Sequence, residues 1–240
     1  MTVKWIILSK DRPAQLHAAL ASIACHRQYN KPCVLVDLIG NDPSTDSAYS
    51  LVSRRFRAIE FCGALSPEEW RDNLLELTSK PKHDGSIDQT IAITTDTMVL
   101  HERGDLYKPW RILLNDQSIA GVSLVGAFPS VELRESVGNT MMWDHDGKVF
   151  HFGVMYRTSD LLGTMFRTEW YTPDELVDAI NSDIVLTRRP RLSAPPAVLF
   201  DCKIPCHDAT KRYLVNEIID HKALPADHYT WTIWRNRKED

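Results

Sequence analysis

Val3-Lys4-Trp5-Ile6-Ile7-Leu8-Ser9-Lys10-Asp11-Arg12-Pro13-Ala14-Gln15-Leu16-His17-Ala18-Ala19-Leu20-Ala21-Ser22-Ile23 sets two periodicities back to back. Residues 3–8 are almost wholly apolar and rich in β-branched and aromatic side chains, which predicts a buried strand ending at Ser9-Lys10-Asp11. A helix follows, with Asp11 as its N-cap and Pro13 in the first turn. Leu16, Leu20 and Ile23 recur on one face at i, i+4 and i+7. The same alternation continues downstream. Residues 34–39, Val-Leu-Val-Asp-Leu-Ile, predict a second strand closed by the turn cluster Gly40-Asn41-Asp42-Pro43-Ser44. A helix over 45–55, a short strand over 58–61 and a helix over 68–77 come next. Ser66-Pro67-Glu68-Glu69 supplies a capping box with proline at the first helical position. Ile91-Ala92-Ile93-Thr94-Thr95-Asp96 then reads as a buried strand running out into a polar tip. A βαβαβαβ order implies a mainly parallel sheet flanked by helices, and such sheets bind ligands beyond the carboxyl ends of their strands.

Composition agrees with an ordinary folded domain. The chain has 240 residues, 43% hydrophobic and 25% charged, which excludes disorder, a collagen-like repeat and a disulfide miniprotein. With 28 Lys+Arg against 32 Asp+Glu the net charge is −4, and the longest basic cluster is Arg188-Arg189-Pro190-Arg191, so nucleic acid is not an expected partner. No stretch reaches the ~20 apolar residues of a membrane helix, and the first apolar run is cut short by Lys10-Asp11-Arg12; a cytoplasmic location is the expectation. Five scattered cysteines suit reduced thiols. Cys202-x-x-x-Cys206-His207 lacks the second ligand pair that a zinc site needs.

The second half is less regular, with a helix over 110–117, a strand over 121–125, an Asp146-Gly147 turn, a helix from Pro173 to about Ile180, a strand over 197–200 and a helix near 210–221. We therefore expect one domain, with a regular half over residues 1–100 and a more irregular specificity half over 101–240.

The segment Ile7-Leu8-Ser9-Lys10-Asp11-Arg12-Pro13, with its leucine-patterned helix, resembles the opening of nucleotide-sugar glycosyltransferases of the GT-A fold, family 2-like. Asn41-Asp42-Pro43-Ser44-Thr45-Asp46 resembles that family's Asp-Gly-Ser-Thr-Asp turn. Thr95-Asp96-Thr97 stands where its metal-binding Asp-x-Asp falls. The Ser-Lys-Asp-Arg-Pro variant is similar in pattern to the chlorovirus capsid glycosyltransferase group, as are Asp146-Gly147-x-x-Phe150, Arg157-x-Ser159-Asp160-Leu161 and Pro173-Asp174-Glu175-Leu176.

The resemblance implies a GT-A-type, Rossmann-like α/β fold. It also implies transfer of a sugar from a nucleoside-diphosphate donor, uridine-linked, to an acceptor hydroxyl on a glycan or protein, with inversion. Ser9, Lys10, Arg12, Asp37, Asp42 and Asp96 are the candidate nucleotide contacts. The cations suit phosphate oxygens, and the carboxylates suit ribose hydroxyls or a base N–H. Lys10-Asp11-Arg12 reads equally as a solvated cap, and Asp42-Pro43-Ser44 as an ordinary turn. Mn²⁺ or Mg²⁺ is implied at Asp96, with His207 as a second ligand, although the acidic motif is reduced to one carboxylate. Glu175 or Asp174 falls where inverting members place their base, while Thr172-Pro173-Asp174-Glu175 is itself a capping box. Trp143 and Trp170 are open to sugar stacking or to a core role. Two rival functions fit the same pattern: a degenerate nucleotide-sugar-binding domain, and a sugar-phosphate nucleotidyltransferase.

Overall fold

Strand β1 (Val3–Lys10) is the element at which two hydrophobic cores meet. Val3, Trp5 and Ile7 pack on one side with α1 (Pro13–Ala24) and α2 (Pro43–Arg55). Ile6 and Leu8 pack on the other with α3 (Pro67–Ser79). A strand covered on both faces needs apolar side chains at every position, which is why its sequence shows no alternation. The computed structural model describes residues 3–24, 32–40, 43–81, 85–96, 98–100, 107–124, 133–137, 140–143, 152–187, 192–194 and 199–201.

The helices alternate with β2 (Cys33–Asp37), β3 (Glu60–Ala64) and β4 (Thr90–Thr95). Beyond β4 follow β5 (Met98–Leu100), α4 (Tyr107–Asn115), β6 (Gly121–Ser123), β7 (Leu133–Val137), β8 (Thr140–Trp143), β9 (Val154–Arg157), α5 (Thr158–Arg167), α6 (Pro173–Thr187), β10 (Leu192–Ala194) and β11 (Leu199–Asp201). The main sheet runs β3-β2-β1-β4-β9-β6-β10-β8-β7, and β5 pairs with β11 in a second, small sheet. The first three strands move outward with α1 and α2 on one face. The chain then returns through α3 on the opposite face and lays β4 on the other side of β1. Strand order therefore reverses between β1 and β4. Neighbouring connections leave on opposite faces there, and their divergence opens a crevice at the carboxyl ends of the strands.

Two expectations are corrected, one helix is added and one open alternative is resolved. The sheet is parallel across β3-β2-β1-β4 but antiparallel where β9 joins β4 and β6, so it is mixed and not mainly parallel throughout. The third strand begins at Glu60, two residues after the expected start, because α2 closes through a turn in which Ile59 N–H donates to Phe56 O. Helix α5 lay within no expected element; Gly163 and three Thr or Ser residues weaken its local pattern, and Leu161 and Met165 bury it by tertiary packing. Trp170 is fully buried, edge-on to Trp70 at 5.7 Å, with Nε1 donating to Met165 O, so it belongs to the core and not to a sugar platform. The Asp146-Gly147 turn, the side chain of Trp143 and the helix expected near 210–221 lie outside the described residues. Among the described residues no helix is long and apolar enough to cross a membrane.

The start of α3 follows its sequence signature. Ser66 Oγ accepts from Glu69 N–H at 3.1 Å, and Glu69 Oε2 reaches back to Leu65 N–H at 2.7 Å. Ser66→Ala leaves that N–H to water and is expected to cost about 1 kcal/mol, a fall of roughly 3 °C in thermal midpoint. Calorimetry showing an unchanged midpoint would contradict the capping role.

Candidate active site at the strand ends

The carboxyl ends of β2, β1 and β4 place Asp37, Ser9-Lys10 and Asp96 side by side. Lys10 is the register partner of Asp37, and Asp96 N–H continues the β4 ladder by donating to Leu8 O at 2.9 Å. Asp96 is buried at the floor of this edge. Ser9 O–H donates to Asp96 Oδ2 at 2.7 Å, and Arg12 Nη1 lies 3.4 Å from Asp96 Oδ1. Burial pushes the Asp96 carboxyl up to about 6, against the opposing pull of the Arg12 guanidinium, the Ser9 hydroxyl and backbone N–H groups.

Above Asp96 the backbone turns sharply. Asp11 has φ 55, the one non-glycine with positive φ among the described residues. Asp tolerates this left-handed conformation better than most residues, and it carries the chain from the strand into α1. Arg12, whose carbonyl accepts from Leu16 N–H, occupies the N-cap position, so the expected Asp11 cap is corrected. An N-cap residue needs extended backbone angles, which φ 55 excludes. Pro13 then takes the first helical position.

Tyr49 of α2 is the residue that sequence reasoning missed. Its phenol oxygen accepts from Arg12 N–H at 3.0 Å and lies 2.7 Å from Ser9 Oγ. Since the Ser9 proton goes to Asp96, the Tyr49 O–H donates to Ser9 and completes a directed chain from Tyr49 through Ser9 to Asp96. Burial raises the phenol above its usual range, which keeps it protonated as this chain requires. The available signal was Thr45, Ala48, Tyr49 and Val52 on one helix face: a tyrosine in an apolar stripe needs a partner for its hydroxyl.

The neighbouring pair is built the same way. Lys10 Nζ lies 2.8 Å from Asp37 Oδ2, and Asp37 Oδ1 accepts from Ile39 N–H at 2.9 Å. Thus Ser9, Lys10, Arg12, Asp37 and Asp96 are brought together. Asp42 and His207 lie outside the described residues.

Glu175 and Asp174 stand at the start of α6, on the α3 side of the sheet. Arg71 of α3 lies over the rings of Trp170 and Tyr171 at 5.6 and 5.8 Å, which ties α3 to the segment just before α6. Glu175 Oε2 accepts from Tyr171 N–H at 2.7 Å and Thr172 N–H at 3.1 Å, while its own N–H donates to Thr172 Oγ1 at 3.3 Å. The capping box is therefore formed. Asp174 is exposed beside it.

A divalent cation at Asp96 finds a poor donor set among these residues. One oxygen takes the Ser9 hydroxyl and the other faces a guanidinium. No group of three His, Cys, Asp or Glu side chains that could hold a metal comes together among the described residues. Mn²⁺ and Mg²⁺ favour several anionic oxygens, so the described residues do not fit such an ion.

No protein-family model matches the sequence, and no curated protein matches it. Solved structures do. S. aureus TarS 1-349 superposes with a TM-score of 0.53 over 96% of this chain and 72% of its own, at 11% identity. A longer S. aureus TarS chain gives 0.52 over 99% of this chain and 43% of its own, at 12% identity. A 4-diphosphocytidyl-2C-methyl-D-erythritol synthase gives 0.49 over 90% of this chain and 98% of its own, at 12% identity. At such identities the two TarS likenesses speak for the fold and not for the chlorovirus capsid group. The chain has the α/β, Rossmann-like architecture of the GT-A type.

Proposed function

We propose that this protein transfers a sugar from a nucleoside-diphosphate donor, uridine-linked, to an acceptor hydroxyl on a glycan or protein, with inversion. The observation that supports it is the pair of cations, Lys10 and Arg12, held beyond the end of β1 by Asp37 of β2 on one side and by Asp96 after β4 on the other, beside the point where strand order reverses. A leaving diphosphate gains negative charge as the bond from its oxygen to the sugar C1 breaks. Fixed cations at that place stabilise the transition state more than the ground state. We assign Asp42 to the ribose or base of the donor, while Asp37 holds Lys10 in place. The acceptor oxygen attacks C1 as its proton passes to a carboxylate of α6, and nucleoside diphosphate leaves. Glu175 is committed to the cap through Oε2, so we assign the base to Asp174.

The test is product analysis with a panel of uridine, guanosine and cytidine sugar nucleotides. We expect release of nucleoside diphosphate, and loss of about two orders of magnitude in turnover for Asp174→Asn with donor binding retained. Formation of nucleotide sugar and pyrophosphate from a nucleoside triphosphate would instead identify a nucleotidyltransferase. Donor binding without turnover, across a range of acceptors, would identify a binding domain.

A further inference from the structure

The two ion pairs at the strand ends share one arrangement in depth. Lys10 is 48% exposed over an Asp37 side chain that is 12% exposed, and Arg12 is 40% exposed over an Asp96 side chain that is 2% exposed. In both pairs the anion lies beneath and the cation faces outward. At these two pairs an approaching ligand meets ammonium and guanidinium N–H groups before carboxylate oxygens.

A metal-bridged diphosphate site needs the opposite order. A divalent ion binds hard carboxylate oxygens at about 2.0–2.2 Å and needs them turned toward the ligand. At Asp96 it would share Oδ1 with a guanidinium 3.4 Å away, and Oδ2 already accepts the Ser9 hydroxyl. Two cations would compete for one buried carboxylate. Arg12 is the better placed of the two, because its backbone N–H is pinned by Tyr49, whose hydroxyl also supports Ser9. Asp37 gives a metal no alternative, since Lys10 and Ile39 N–H occupy its two oxygens.

We propose that the site binds its nucleoside diphosphate without a divalent metal, with Arg12 and Lys10 as resident counter-cations of the diphosphate and Asp96 and Asp37 as their anchors. The inference rests on the donor class proposed above. Arg12 brings a planar fork that matches two phosphate oxygens, and Lys10 brings a compact point charge beside it. Both are already ordered by their carboxylates, which reduces the entropy lost when the anion arrives. Asp96 acts here as a positioning residue, not as a metal ligand.

Calorimetric titration decides the matter, with UDP, GDP and CDP added to the full chain in EDTA and again in millimolar Mn²⁺ or Mg²⁺. We expect a dissociation constant that agrees within about threefold across the three conditions, and Arg12→Met to weaken binding by about tenfold or more in each. Lys10→Met, with its charge on a separate strand-end pair, is expected to weaken binding independently. Unaltered thermal midpoints of the two variants would locate the loss in the site. Binding that appears only with metal, or Arg12→Met binding as tightly as the parent, overturns the inference while leaving the donor class intact. Failure of every diphosphate to bind in every condition overturns the donor class and this inference with it.

Discussion

Asp96→Asn is expected to fold more stably than the parent chain near pH 8 while binding nucleoside diphosphate about tenfold more weakly. The carboxyl is raised from 3.8 to about 6 by burial, so the folded state prefers the protonated form more than the unfolded chain does. For a carboxyl raised on folding, the stabilising contribution is complete below the unfolded value and is lost as pH rises through the folded one. Ionised Asp96 therefore costs the fold roughly 3 kcal/mol at most above about pH 7, at 1.36 kcal/mol for each pH unit. Asn keeps the acceptor for Ser9 O–H and removes the buried charge. Its thermal midpoint should exceed the parent's by roughly 5 °C near pH 8, and the two should converge below about pH 4. A gap that does not change with pH, or a variant less stable than the parent at high pH, would sink the account. The loss of binding has a separate origin: Arg12 loses the anion that holds its guanidinium over the strand ends. Stability and function then pull in opposite directions at one residue, as they do where a site retains a destabilising group for its chemistry.

The parallel half of the molecule was legible because local pattern and tertiary environment agree there. Strands β1, β2 and β4 are covered on both faces and read as unbroken apolar runs, and α1 and α3 carry either core spacing or a capping box. Beyond β4 this agreement ends. Strands β6 and β9, three and four residues long, are defined by the strands they pair with and carry too few side chains to establish a period. The mixed sheet follows from β9 inserting antiparallel between β4 and β6, a choice that only long-range packing makes.

The site divides along a similar line. Polar residues that extend a buried strand have few local reasons to be there, which made Ser9, Lys10 and Asp96 legible. Their depth was not. Asp96 was expected to face a ligand or metal, and it lies beneath Arg12. Tyr49 makes its hydrogen bond to Ser9 across 40 residues of sequence, and no local pattern records such a contact.

Arg157→Met is expected to be the most destabilising single substitution considered, by about 3–5 kcal/mol, or roughly 10 °C in thermal midpoint. Arg157 ends β9 as the register partner of Thr90, and its side chain is buried. Its Nη1 donates to Ile119 O, and its Nη2 donates to Leu113 O and, at 2.5 Å, to Asp116 O. These carbonyls belong to the last turn of α4 and the connection into β6; Asp116 O also accepts from Ile119 N–H at 3.3 Å. Met keeps the aliphatic stem and supplies no donor, so three carbonyls lose a charged partner at once. Arg157→Lys should recover only part of the loss, because one ammonium cannot reproduce the planar fork. The damage should extend toward the site. Gly153 N–H donates to Ile93 O, and Val154 is the register partner of Ile93, so β9 forms the wall against which β4 presents Asp96. With β9 loosened, diphosphate binding should be retained in the cold and be lost with the fold at a lower temperature than in the parent. A variant within about 1 kcal/mol of the parent in denaturant titration would show that water replaces the guanidinium at little cost, and that β9 is held by its ladder alone.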